Sequence, residues 1–297
     1  MQKGVWYAVS AYVAWGVFPI YWKLVAHVPA VQLIAHRIVW AFVLLIGLGV
    51  ATRQHRTLAA ALTWRTVRVY VGAAAFITVN WFTYVWGVNH GFIVETSLGY
   101  FMNPIVSVAL GVVVLGERLR PLQWLAVGLM TAGVVYLTVS YGAPPWIALT
   151  LASSFGLYGL IKKVAPLGSI QGLTMETGLL IVPALAYLVW MAGSGGGAFL
   201  RAGASTSALL MGTGLVTILP LVLFASALRR ITLSMTGMLQ FIAPTIQLLI
   251  GVLVYKEAFS GAQLVGFSFV WTALVVFGAE GALARRIQAE PLPAPAD

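Results

Sequence analysis

The chain has 297 residues, of which 61% are hydrophobic and only 8% charged, with a formal net charge of +10 and no cysteine. A soluble domain carries about 25% charged residues, so a water-soluble globule is excluded, and the lack of cysteine excludes disulfides, thiol catalysis and thiolate-bound metals. The positive excess flanks apolar segments instead of forming one basic stripe, which marks cytoplasmic loops and argues against a nucleic-acid partner.

A helix needs about 20 apolar residues to cross the hydrocarbon core of a bilayer. Ten segments meet that need, near 4–26, 31–51, 69–89, 93–115, 121–140, 144–164, 170–192, 207–228, 233–254 and 261–283. Each is predicted to be a helix, because lipid offers no partner for unpaired backbone groups. The first is too long for a signal peptide, lacks a clear cleavage site and carries Lys23 near its end. It stacks Tyr12, Trp15 and Pro19 on one face. The second holds His36 and Arg37 about five residues in. The third offers Asn80, Trp81 and Tyr84. The fourth carries Glu95 near its start, then Tyr100, Asn103 and Pro104, and ends at Gly116-Glu117-Arg118. The fifth and tenth carry small pairs four apart, Gly128/Ala132 and Gly278/Ala282, which allow close helix contact within the chain or in a dimer.

The sixth segment offers Phe155 and Tyr158 and ends at Lys162 and Lys163. The seventh holds Glu176 and Pro183, the eighth Pro220, and the ninth Gln240 and Pro244 before Lys256-Glu257. Glu117 and Glu257 read as interface anchors beside basic neighbours. Trp6, Trp64, Trp146 and Trp190 read as interfacial belt residues. The longest loops are 52–68 and 193–206; the second contains Gly195, Gly196 and Gly197 and is predicted to be mobile. The tail 285–297, Pro-rich from Pro291, is predicted to be disordered.

With the N-terminus inside, 13 basic residues fall on the inner side and three, Lys23, Arg201 and Lys256, on the outer side. Both termini are therefore expected in the cytoplasm. The chain also repeats at an offset of 140 residues. Gly16 matches Gly156, Lys23 matches Lys163, Pro104 matches Pro244, Gly111 matches Gly251, Glu117 matches Glu257 and Gln123 matches Gln263. Two units follow, 4–140 and 144–284, each with five spans. Five is odd, so the second unit inserts upside down, and inverted repeats place a substrate site between the halves of a secondary transporter.

No G-x-x-x-x-G-K-[ST] run is present, so there is no phosphate cradle for ATP. The only aspartate is Asp297, and neither H-E-x-x-H nor G-x-S-x-G occurs, so an enzyme is not expected, nor a cofactor or metal. Ionisable residues inside spans are costly and point to function. Arg37 and Glu95, both in the outer third, are expected to pair near His36. Glu176 is the repeat mate of His36 and has no basic partner within its own span. A lone buried carboxyl tends to keep its proton, which makes Glu176 the expected proton-coupling or substrate-amine group. Trp15, Trp81, Tyr84, Tyr100 and Tyr158 are the expected aromatic walls. Asn80, Asn103 and Gln240 are expected to fix polar groups of a small-molecule substrate. The paired prolines Pro104 and Pro244 predict equivalent bends in spans four and nine.

The stretches Ala14-Trp15-Gly16, Ala35-His36-Arg37, Glu95-Thr96-Ser97-Leu98-Gly99-Tyr100-Phe101-Met102-Asn103-Pro104 and Leu115-Gly116-Glu117-Arg118 resemble the EamA family of the drug/metabolite transporter superfamily. They look most like its RarD branch, described as chloramphenicol-sensitive permeases. The resemblance covers residues 4–284. It implies an all-α polytopic membrane protein of ten transmembrane helices in two inverted five-helix repeats. It also implies export of amino acids, metabolites or drugs by a monomer or homodimer in the bilayer. The alternatives are an energy-independent exchanger or facilitator, and a membrane sensor or scaffold that binds without transport.

Overall fold

The computed structural model describes residues 2–53, 62–90, 92–142, 145–256 and 261–289. The helices are α1 (Gln2–Leu24), α2 (Ala30–Ala51), α3 (Trp64–Asn89), α4 (Ile93–Val113), α5 (Pro121–Tyr141), α6 (Trp146–Val164), α7 (Ser169–Gly193), α8 (Ala204–Leu228), α9 (Leu233–Leu239), α10 (Ile242–Leu249) and α11 (Gly261–Ala289). A π-helical turn, Ile250–Val254, continues α10. No strand occurs among the described residues. Eight of these helices, with 233–254 taken as one, are long and apolar enough to cross a membrane, and α4 adds the shorter apolar stretch Leu98–Val113. The aromatic-rich α1, with Lys3 and Lys23 near its ends, falls short of that apolarity although it is 23 residues long. The belt tryptophans Trp6, Trp64, Trp146 and Trp190 are all exposed, as their interfacial role requires.

Packing follows a regular scheme. α1 lies on α8 and α10, and α3 lies on α6 and α7. α2 runs against α7 and α8, α4 against α6 and α9, and α5 against α11. Two glycines mark close approaches of α1 to α10 and of α6 to α4. A methyl group on Gly16 of α1 would meet Ile246 Cβ at 2.7 Å, and one on Gly156 of α6 would meet Val106 Cγ1 at 2.7 Å. One apolar core joins α1, α6 and α8 through Tyr12, Tyr158 and Phe224. A second joins α4, α5 and α11 through Phe101, Met130 and Phe267.

Several expectations are corrected. Pro104 leaves α4 unbroken, whereas the helix carrying Pro244 breaks between α9 and α10. That break falls at Gln240, whose carbonyl is the one the proline ring displaces; the Gln240 carbonyl accepts instead from Ala243 N at 3.1 Å. Gly128 and Gly278 face open space, so neither joins the halves. Close contact between α5 and α11 runs through Gly133, where a methyl group would meet Phe269 Cβ at 2.9 Å. α11 continues to Ala289, past the predicted start of the tail. Glu257 and residues 290–297 lie outside the described residues.

Glu117 also differs from its predicted anchoring role. Its Oε1 accepts from Leu233 N at 2.6 Å and its Oε2 from Ser234 N at 2.8 Å. Thr232 Oγ1 accepts from Met235 N at 3.1 Å. Together they satisfy three of the N–H groups that a helix start leaves without partners. A carboxylate at the end of α4 thus caps α9, with charge complementary to the helix dipole.

Candidate functional site

Four helices, α2, α3, α7 and α8, enclose a narrow cavity, and α6 closes one side with Tyr158. α2 sends in Arg37, Ala41 and Leu45, the 3.6-residue stripe of one helix face. α3 adds Ile77 and Trp81, α7 adds Leu173, Glu176 and Thr177, and α8 adds Thr217 and Leu221. The free volume is about 10 Å³, barely the room one water needs.

Arg37 marks one end. Its Nε donates to Thr217 Oγ1 at 3.0 Å. Its guanidinium lies 4.7 Å from the Trp81 ring centroid and 5.2 Å from that of Trp22. Tyr84 and Tyr100 pack edge to face at 5.9 Å, close enough to Arg37 to interact with it electrostatically. Arg37 is thus a half-buried cation in an aromatic sleeve, an arrangement arginine suits through its planar, weakly hydrated head. Among the described side chains it pairs with no carboxylate; the ion pairs there are Arg120–Glu280 and Lys162–Glu176. The side chain of Glu95 lies outside the described residues.

Glu176 marks the other end, and the expectation of a lone carboxyl is overturned. Lys162 Nζ donates to its Oε1 at 2.6 Å and Tyr158 donates to its Oε2 at 3.0 Å. Both charged side chains are at most 4% exposed. Tyr70 completes the pocket, with its ring 5.5 Å from Lys162 Nζ and its hydroxyl accepting from Leu167 N at 3.2 Å. Lys162, which the charge count places with Lys163 at the inner end of the sixth segment, is instead buried against Glu176. The spacing held the correct signal: Tyr158 and Lys162 are four apart on one helix and share a face. Lys163 does work at a helix end, donating to the carbonyls of Leu228 (2.6 Å) and Ile231.

The remaining sequence candidates scatter. Asn80 turns its amide onto α6, donating to Leu151 O at 2.9 Å and Ser154 Oγ at 3.1 Å, and so ties two helices together. Trp15 packs on Phe155 and Phe224 in the core beside the cavity. Asn103 is buried in α4, and its Oδ1 has no hydrogen-bond partner. Gln240 is buried at the α9–α10 break. His36 points away from the cavity and lies 5.4 Å from the Phe199 ring. Trp22, Thr217 and Lys162 were not foreseen. Thr217 was legible as a hydroxyl three residues before Pro220 within an apolar span.

A bundle of apolar helices around a cavity with ionic ends defines a polytopic membrane protein, and comparison with known proteins sets its class. The profile of the EamA-like transporter family matches residues 2–139. Protein RarD of Streptomyces exfoliatus is 45% identical over 277 residues, 93% of this chain and 88% of that one. The uncharacterized transporter YojE of Bacillus subtilis is 43% identical, covering 93% of each. A solved crystal structure superposes with a TM-score of 0.67 at 18% identity, covering 93% of this chain and 96% of that one, which shows a shared fold. The chain is therefore a membrane transporter of the drug/metabolite superfamily. It belongs to the EamA-like family, alongside the RarD proteins, and is a multi-pass protein of the bacterial inner membrane.

Proposed function

We propose that the chain exports small aromatic or amphipathic metabolites by alternating access, with ten spans in two inverted repeats, 4–140 and 144–284, and both termini in the cytoplasm. The observation that carries this reading is the cavity between α2 and α3 of the first repeat and α7 and α8 of the second, with Arg37 and Glu176 at its ends. A 140-residue shift turns the α1–α8 contact into α6–α3 and the α2–α8 contact into α7–α3, while α2–α7, α4–α9 and α5–α11 map onto themselves. The glycine contacts obey the same rule: Gly16 meets Ile246, Gly156 meets Val106, and both members of each match are 140 apart. Such exchange symmetry supports two near-equivalent states facing opposite sides, and it disfavours a sensor or scaffold, which has no use for it.

In this reading Arg37 receives an acidic or acceptor group of the substrate, and Trp81, Tyr84 and Tyr100 receive its apolar body. A cavity holding about one water is the occluded form, and a substrate enters when the repeats rock apart. Tyr158 and Glu176 stay with Lys162 as the inner end. That pair favours a second reading, a facilitator or exchanger without proton coupling, because the carboxylate already has its counter-ion.

Two measurements test the proposal. Purified protein heated with amino acids, nitroaromatic drugs and small organic acids should show a ligand that raises the melting temperature; 100-fold over its dissociation constant adds about 2.7 kcal/mol. The same ligand should show saturable flux across proteoliposomes, and a ligand that binds without flux would defeat the transport reading. A pH gradient that drives flux in the parent protein but not in Glu176→Gln assigns proton coupling. Indifference to the gradient selects the exchanger or facilitator.

A further inference from the structure

Residues 194–203, between α7 and α8, were predicted to be a mobile glycine loop. They form instead a strap tied down over the first turns of α2. The buried Gln32 side chain grips it at two points, donating from Nε2 to Gly196 O at 2.7 Å and accepting at Oε1 from Ala198 N at 3.0 Å. Leu200 N donates to Ser207 Oγ at 2.9 Å, and His27 bonds Thr206 Oγ1 at 3.0 Å. Gly195 (φ 83°) and Gly203 (φ 98°) sit at the two ends, where a left-handed backbone suits glycine. Leu200 holds φ 62° between them, a conformation that disfavours side chains.

The strap carries Phe199, whose ring centroid lies 5.4 Å from that of His36 and 5.8 Å from that of Trp40. His36 Nδ1 and Trp40 Nε1 are both buried and have no hydrogen-bond partner. Native structures rarely bury such groups unpaired, and here two occur on one helix face under one ring. Gln32, His36 and Trp40 are spaced by four, so the grip and both rings share a stripe of α2. Arg37, one residue on, faces the cavity.

We propose that His36 and Trp40 form an outer binding station for a planar aromatic group bearing a hydrogen-bond acceptor, with Phe199 seated in it as a built-in plug while the strap is down. The rings supply stacking faces and their nitrogens supply the unused hydrogen-bonding capacity. Lifting the strap about its two glycines removes the phenyl ring and admits a substrate ring leaving the Arg37 end of the cavity. The role as an exit station rests on the transport reading; the binding chemistry does not.

The test uses 4-nitrobenzoate as probe and the full chain in detergent, with calorimetry as readout. Phe199→Ala and Phe199→Leu should each bind the probe at least about ten-fold tighter than the parent protein, because the plug is gone. Adding Trp40→Leu to either variant should abolish that gain. Binding no tighter without the phenyl ring, or a gain that survives Trp40→Leu, overturns the station. The chain has no native cysteine, which permits a second readout. A membrane-impermeant maleimide applied from outside should label His36→Cys slowly, and at least about ten-fold faster when Gln32→Ala releases the strap. Equal rates overturn the plug. Flux of the probe in proteoliposomes is scored separately. Tighter binding in the Phe199 variants with no flux in the parent protein keeps the station and removes the transport reading. Flux without the binding gain does the reverse.

Discussion

The two ends of the cavity hold opposite charges by opposite means. At one end Glu176 sits between Lys162 and Tyr158, so a full ion pair and a hydroxyl satisfy it from within the fold. At the other end Arg37 has, among the described side chains, one neutral hydroxyl, Thr217, and the faces of Trp22 and Trp81. Arg37 and Glu176 stand at neighbouring positions of α2 and α7, since His36 is the mate of Glu176 at the 140-residue offset. Two helices matched at that offset thus carry, among the described side chains, one charge closed by an ion pair, a closed joint, and one held without a carboxylate, an open joint. The closed joint belongs to the architecture of α6 and α7; the open one has donors to spare.

Breaking the closed joint should have the largest effect. Lys162→Ala strands a buried carboxylate and should cost about 3–5 kcal/mol, read as lost yield and a lower melting temperature. Lys162→Met with Glu176→Leu should recover most of that loss. A double variant as unstable as the single one would mean that the pair does not act as a unit. Tyr158→Phe removes one donor to the charged group and should cost about 1.5–3 kcal/mol, with Lys162 still in place. At the open joint the order of effects should reverse. Arg37→Met strands no described carboxylate, so its stability cost should stay near the worth of its stacking, about 1–2 kcal/mol, while flux of an acidic substrate falls far more. Arg37→Lys should fail to restore flux, because a point charge lacks the planar fork; full rescue by lysine would reduce the sleeve to a charge alone. Thr217→Val should be the mildest, about 1 kcal/mol or less, with the Michaelis constant of an acidic substrate shifting more than the melting temperature.

The sequence made the membrane class and the family resemblance legible and singled out Arg37 as a charge within a span, expected to pair with Glu95, because rare residues in an apolar chain carry most of the signal. Gly16 and Gly156 are matched at the 140-residue offset, and each packs against a side chain, Ile246 and Val106, that is matched at the same offset. Glu176 was found but its partner was not, since Lys162 beside Lys163 read as loop charge and only the fold shows it buried. Asn80 and Trp81 are adjacent, yet a helix turns them about 100° apart, so one ties α3 to α6 while the other lines the cavity. Pro104 and Pro244 show the same limit. A proline permits a break, and the packing around it decides which of two matched helices uses it. The strap escaped notice because its anchor, Gln32, is an ordinary polar residue 164 positions from Gly196, a distance that no local pattern spans.

The Glu117 cap on α9 has a consequence for how the molecule is made. Glu117 and the first amide that donates to it, Leu233 N, are 116 residues apart, so at ~5–20 residues per second of synthesis the carboxylate is born about 6–23 s before the amides it binds. Through that interval the carboxylate has no helix start to cap, and the end of α4 has no α9 to dock on. The joint closes only as the ninth span emerges, which makes the first half of the chain a waiting intermediate in the ribosome's timetable and not a unit that is finished when its fifth helix is in place.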